Sequence, residues 1–169
     1  MEIKELVKKA QKGNKESFNE LILYYEKDLY NIAKSRLHNE DDVCDAVQET
    51  ILIAYKSIQK LINPSKFKFW LIKILINECN KIYNNQKNSS YDIDHKLDSI
   101  VYDKEDSNLE FLNLMNVLDS DEKNIFILYY QEGYTSKEIS QILNINQNTI
   151  LSKLSRGKEK IKNTLKEVL

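Results

Sequence analysis

Apolar side chains recur every three or four positions over most of this chain, with charged and amide residues between them, and that spacing is the period of amphipathic helices. A first such stretch covers roughly 2 to 11, with Ile3, Leu6, Val7 and Ala10 on one side, and stops at Gly13. A second runs from about Lys15 to Leu37, placing Phe18, Leu21, Ile22, Tyr25, Leu29 and Ile32 together. A third, from about Asp41 to Lys60, carries Val43, Val47, Ile51, Ala54 and Ile58. Residues 63 to 67, NPSKF, hold the sole proline and interrupt the pattern before a fourth stretch at about 65 to 85. There Phe67, Trp70, Leu71, Ile74 and Cys79 are apolar. Four apolar faces that need one another predict a helical bundle over residues 1–85.

From 86 to 108 the period is lost. With its flank to Val117 this segment carries seven acids against three lysines, the composition of a mobile acidic linker. Residues 109–169 regain the pattern in LEFLNLMNVLD and DEKNIFILYYQEG, the latter closed by Gly133 at a C-cap position. Next, Thr135 and Glu138 stand at capping-box spacing, so a helix should begin at about Ser136 and bury Ile139, Ile142 and Leu143. Asn144 sits where the chain must turn, since asparagine tolerates the left-handed conformation. Ile145 plugs the turn, Asn146 can cap the next helix, and Ile150, Leu154, Ile161 and Leu165 continue an apolar stripe. Two short helices joined by a tight turn predict a helix-turn-helix, whose second helix can lie in the major groove of DNA. The fold expected is therefore all-α: two small helical domains joined by a flexible acidic linker, the C-terminal one with a helix-turn-helix.

Charge sharpens this picture. From 146 to 166, Lys153, Arg156, Lys158, Lys160, Lys162 and Lys166 face one acid, Glu159, and phosphates attract such a helix. The whole chain has a net charge of −1, which argues against indiscriminate coating of nucleic acid. FWLIKILI is broken by Lys73 and falls short of the roughly 20 residues of a membrane span. The charged N-terminus MEIKELVKKAQ lacks a signal-peptide core, which leaves the cytoplasm as the default. Cys44 and Cys79 lie in helical patterns, are not spaced as metal ligands, and read as buried free thiols. Neither a phosphate-binding glycine loop nor a cluster of histidine, cysteine and carboxylate appears, and His38 and His95 stand alone. No catalysis, cofactor, metal or small-molecule substrate is expected. Asp41, Asp45, Gln48 and Glu49 share much of one face of the third helix, suited to a helical or basic partner.

DDVCDAVQETIL, then FKFWLIKILINEC, then an acidic linker, then LDSDEKNIFILYYQEGYTSKEISQILNINQNTILSKLSRGKEKI resembles an extracytoplasmic-function (ECF) sigma factor of bacterial RNA polymerase over nearly the whole chain. The resemblance implies that Asp41, Asp45, Gln48 and Glu49 bind core RNA polymerase. It implies a specificity loop of Asn63, Ser65, Lys66 and Phe67 for the downstream promoter element, with Lys73, Asn77, Asn80 and Lys81 facing the melted strand. It places Gln147, Asn148, Thr149, Leu151, Ser152, Lys153, Arg156, Lys158 and Lys160 on the upstream promoter element. By side-chain chemistry Asn148, Leu151, Ser152 and Arg156 should set sequence preference, and Lys153, Lys158 and Lys160 should meet phosphates. It also implies promoter DNA and an anti-sigma factor, in many members membrane-bound, as partners. Asp119 stands where the family usually has a proline opening a helix, a substitution that a capping residue can bear. Leu151 stands at a usually basic position, and Lys81, Tyr83, Asn84 and Asn85 replace a more basic helix end. A stand-alone helix-turn-helix regulator and a sigma-like decoy that opens no promoter are the rival readings.

Overall fold

The structure, a computed structural model, describes residues 2–89 and 114–168 of the 169-residue chain. It divides into two compact units, Met1–Asp94 and His95–Leu169. Of the expected linker at 86–108, residues 86–89 continue the fourth helix and 90–108 lie outside the described residues. The helix expected from Leu109 also lies outside them as far as residue 113.

The first unit packs four helices: α1 (Ile3–Gln11), α2 (Lys15–Arg36), α3 (Glu40–Ser57) and α4 (Phe67–Ser89). Asparagines start two of them. Asn14 Oδ1 accepts the Ser17 N–H at 2.7 Å and Asn39 Oδ1 accepts the Asp41 N–H at 2.8 Å, each satisfying a donor that the helix cannot. Glu40, Asp41 and Asp42 then occupy the first turn of α3, where the helix dipole favours negative charge. The predicted third helix is shorter by three residues, because Ile58–Lys60 tightens into a 3-10 turn. Pro64–Lys66 forms a second such turn, with proline where the missing N–H costs nothing.

The core of this unit is Leu21, Leu29 and Ile32 from α2, Val43, Ala46 and Ala54 from α3, and Phe67, Leu71, Ile72, Leu75 and Ile76 from α4, all buried. Each large side chain here contributes about 1.5–3 kcal/mol by leaving water. Two polar side chains are tied in here: Arg36 donates from Nη2 to Asn80 Oδ1 at 2.7 Å, and Thr50 Oγ1 donates to the Ala46 carbonyl at 2.7 Å. Burial pushes the Cys79 thiol up to about 11, so it stays protonated and unreactive at neutral pH.

The second unit comprises a 3-10 turn (Met115–Val117), α5 (Ser120–Phe126) widening into a π-type turn (Ile127–Gln131), α6 (Ser136–Leu143) and α7 (Gln147–Val168). Asp119 caps α5 as the sequence allows: its carboxylate accepts the Glu122 N–H at 2.8 Å, and Glu122 accepts the Asp119 N–H at 3.1 Å. Four consecutive residues, Ile125 to Leu128, are buried, so this helix is enclosed by its neighbours.

Gly157 lets α7 approach α5. A Cβ there would lie 2.5 Å from Phe126 Cε2 and 3.2 Å from Leu118 Cδ2, both on buried side chains. Alanine normally stabilises a helix interior by about 1 kcal/mol over glycine. Here overpacking, typically about 1–3 kcal/mol, opposes that gain. Gly157→Ala should therefore lower the urea midpoint of the protein, and a raised midpoint would show that the contact yields freely.

Candidate nucleic-acid interface

The α6–α7 pair has the local chemistry that the sequence predicts. Glu138 N–H donates to Thr135 Oγ1 at 3.2 Å while Thr135 N–H donates to Glu138 Oε2 at 3.1 Å, closing the capping box. Asn144 takes φ 55° and ψ 44°, the left-handed turn. Asn146 Oδ1 accepts the Asn148 N–H at 2.8 Å and starts α7. Ile139, Ile142, Ile150 and Leu154 are buried and fix the crossing, while Ile145 is half-buried and Leu165 is 40% exposed. Asn148, Thr149, Leu151, Ser152 and Arg156 are exposed, so amide, hydroxyl, apolar and guanidinium groups are presented together. Gln147 instead donates its side-chain amide to Ser136 Oγ at 3.0 Å and ties the two helices together.

The lysines expected on phosphates are engaged within the fold. Lys160 Nζ lies 2.7 and 2.9 Å from the two oxygens of Glu122, whose side chain is only 4% exposed. A buried carboxylate holds it, since an unpaired charge there is costly, although the lysine side chain itself is still 44% exposed. Lys153 meets Asp121 at 3.2 Å, an exposed acid whose hold is weak enough for a phosphate to compete with. Lys158 sits 5.9 Å from the Tyr130 ring centre, and its ammonium is held above the ordinary lysine range by a hydrogen bond to that phenol.

In the first unit the loop between α3 and α4 is fixed by its own side chains. Asn63 Oδ1 accepts the Ser65 N–H at 3.0 Å, so its carboxamide oxygen shapes the loop. Ser65 and Lys66 are exposed. Phe67 is not: it is fully buried, 5.8 Å from the Tyr25 ring and 5.9 Å from Trp70, so its ring packs within the bundle while its backbone belongs to the loop. The first residue of α4 must cover the end of the bundle, and an aromatic ring does so. Trp70 is half-buried beside it.

On α4, Lys73 and Asn77 are exposed, while Lys81 pairs with Glu78 at 2.7 Å. Asn80 is drawn inward by Arg36, which leaves it half-buried. Asn77, Asn80 and Lys81 nonetheless line one open groove of about 480 Å³ together with Ile53, Ile74, Glu78 and Asn84. Asp41, Asp45, Gln48 and Glu49 are all exposed on α3, and that face also carries Leu52 and Tyr55, 50% and 48% exposed, which sequence reading did not single out. A second signal was also legible and went unread: between Glu49 and Glu78 there are five lysines (Lys56, Lys60, Lys66, Lys68, Lys73) and no acid. One of them, Lys68, pairs with Asp28 of α2 at 2.9 Å.

Residues 21–88 match the family described as Sigma-70 region 2, and residues 108–161 match Sigma-70, region 4. RNA polymerase sigma factor SigV of Bacillus subtilis is 30% identical over 138 residues, covering 80% of this chain and 83% of that protein. The ECF RNA polymerase sigma-E factor of Haemophilus influenzae is 25% identical, covering 97% of this chain and 95% of that protein. This chain belongs to the ECF sigma factor family. In this ECF sigma factor the region 2 match takes in most of α2, all of α3, the loop before α4 and α4 itself to residue 88, and leaves α1 outside. The region 4 match ends at residue 161, before the last turns of α7. The fold agrees: the sigma factor RpoE of Bartonella quintana, solved with the anti-sigma factor NepR, superposes with a TM-score of 0.66 at 23% identity, covering 88% of this chain and 96% of that one. Among the described residues no helix is long and apolar enough to cross a membrane.

Proposed function

We propose that this ECF sigma factor binds core RNA polymerase through the outer face of α3, reads an upstream promoter element with the N-terminal half of α7, and opens DNA at a downstream element with the α3–α4 loop and α4. The observation that carries this reading is the order of the two matched regions along the chain, each presenting an exposed face of the chemistry its role requires. Asn148 and Arg156 can pair with base edges, and Leu151 can pack on a thymine methyl. Each reader alone is weak. Polymerase joins them, so that the second contact forms at high effective concentration and the net charge of −1 suffices. The protein acts in the cytoplasm, has no catalysis, cofactor or small-molecule substrate of its own, and is held inactive by an anti-sigma factor. Its domains are 1–89, to the end of α4, for polymerase binding and melting, and 109–169 for the upstream element, with a linker between them.

The test is co-purification with core polymerase. Wild-type protein should form a stable holoenzyme, and Asp45→Lys combined with Gln48→Ala should weaken it by at least about tenfold, since like charge placed in an interface costs more than 1.4 kcal/mol. Both side chains are exposed, so the melting temperature should hold within a degree or so. Unaltered co-purification would remove this face of α3 from the interface.

A further inference from the structure

Ile62 is 98% exposed, the highest value for any large apolar side chain among the described residues. The backbone that carries it is nevertheless fixed on both sides. Before it, Leu61 is buried and its N–H bonds to the Ile58 carbonyl at 3.1 Å. Gln11, from α1, donates its side-chain amide to the Ile58 carbonyl at 3.1 Å and to the Leu61 carbonyl at 2.7 Å. After it, the Asn63 side chain bonds the Ser65 N–H, the Lys66 N–H bonds the Asn63 carbonyl at 2.9 Å, and Phe67 is buried. A slack loop would fold an isoleucine back onto apolar surface; this one holds it in water.

The surroundings select the partner. Ile62 sits in the middle of the stretch that has five lysines and no acid, and the two nearest of them, Lys60 and Lys66, are exposed, a charge pattern that attracts a polyanion. An apolar group flanked along the chain by exposed lysines matches DNA, whose phosphates lie outside and whose apolar base faces lie within. Apolar side chains pushed between base steps unstack them at a cost of a few kcal/mol that protein contacts offset. Since Phe67 is buried, the loop offers Ile62 for that role.

We propose that Ile62 is the wedge that enters the base stack as the promoter opens, with Gln11 as the residue that positions it. The proposal rests on the reading of this loop as the downstream-element contact. A wedge acts on the step from closed to open duplex, so its effect must vanish once the strands are already apart.

The experiment is run-off transcription by reconstituted holoenzyme on one promoter fragment that the wild-type holoenzyme transcribes, used both as full duplex and with a premelted bubble around the start site. Ile62→Ala should lose about tenfold on the duplex, in proportion to the lost unstacking contact, and stay within about twofold of wild type on the bubble. Ile62→Met should keep most of the duplex activity, and Gln11→Leu should reproduce the template split at smaller amplitude. An Ile62→Ala variant that equals wild type on duplex, or loses equally on both templates, overturns the wedge. Silence of the wild-type holoenzyme on every promoter fragment overturns the proposed function itself, and the wedge with it.

Discussion

Phe67→Ala should destabilise the protein by about 3–5 kcal/mol, the cost of emptying a large aromatic site in a core that cannot collapse to fill it. The ring is fully buried, in tilted contact with Tyr25 and Trp70, and it seals the end of the bundle at the first residue of α4. Domains of this size are stable by about 5–15 kcal/mol in all, so the loss is a large share of the total. Urea unfolding followed by far-UV circular dichroism should show a lower midpoint for the alanine variant. Phe67→Leu, which refills most of the volume, should recover much of the loss. Any defect of Phe67→Ala in transcription should then track the unfolded fraction and ease on cooling toward the temperature of maximum stability. An unchanged midpoint combined with lost promoter opening would return Phe67 to the DNA surface and contradict the packing described for it.

Lys160→Ala should destabilise the second unit by about 2–3 kcal/mol, because it strips the charge-assisted partner from a buried carboxylate. Glu122 is 4% exposed at its side chain and, among the described residues, its carboxylate accepts from the Asp119 N–H and from Lys160. Lys153→Ala makes the comparison sharp. Its acid, Asp121, is 70% exposed at the side chain and water replaces the lysine readily, so the cost should stay below about 1 kcal/mol. In a Glu122→Gln background the penalty of Lys160→Ala should shrink by more than 1 kcal/mol, since the two residues act as a pair. Equal and small effects of the two lysines in denaturant, with equal losses of DNA affinity, would show that both serve phosphates and neither the fold.

The contrast between these lysines shows where reading the sequence stops. Both lie in one basic helix, and periodicity alone treats them alike. What separates them is the acid that α5 brings opposite each, 38 residues away for Lys160, and only the packed structure supplies that. Local features were legible because their chemistry is local: the Thr135 and Glu138 capping box, the left-handed Asn144, the Asn146 cap and the Asp119 start of α5 each depend on residues within a few positions. The orientation of α4 was only partly legible. In FKFWLIKILI almost every position is apolar, so the period does not choose a face. The residues that pack are Phe67, Leu71, Ile72, Leu75, Ile76 and Cys79, while Trp70 and Ile74 are half-buried. The π-type turn at Ile127–Gln131 had no sequence signal either, since its residues continue a helical pattern. Gln11 escaped notice because a glutamine at a helix end is ordinarily solvated, and its two carbonyl partners are 47 and 50 residues away.

The polymerase face, the DNA-reading helix and the melting loop are parts of one claim: that this chain makes core polymerase start at chosen promoters. Run-off transcription with purified core polymerase on a library of genomic duplex fragments, including the region upstream of this protein's own gene, tests it most directly. Core alone should give no discrete products, and core with the sigma factor should give transcripts of defined length from a small set of fragments, sharing an upstream and a downstream element at fixed spacing. A protein that co-purifies with polymerase yet yields no discrete transcript from any fragment, or that footprints a specific site tightly without polymerase, would contradict the account.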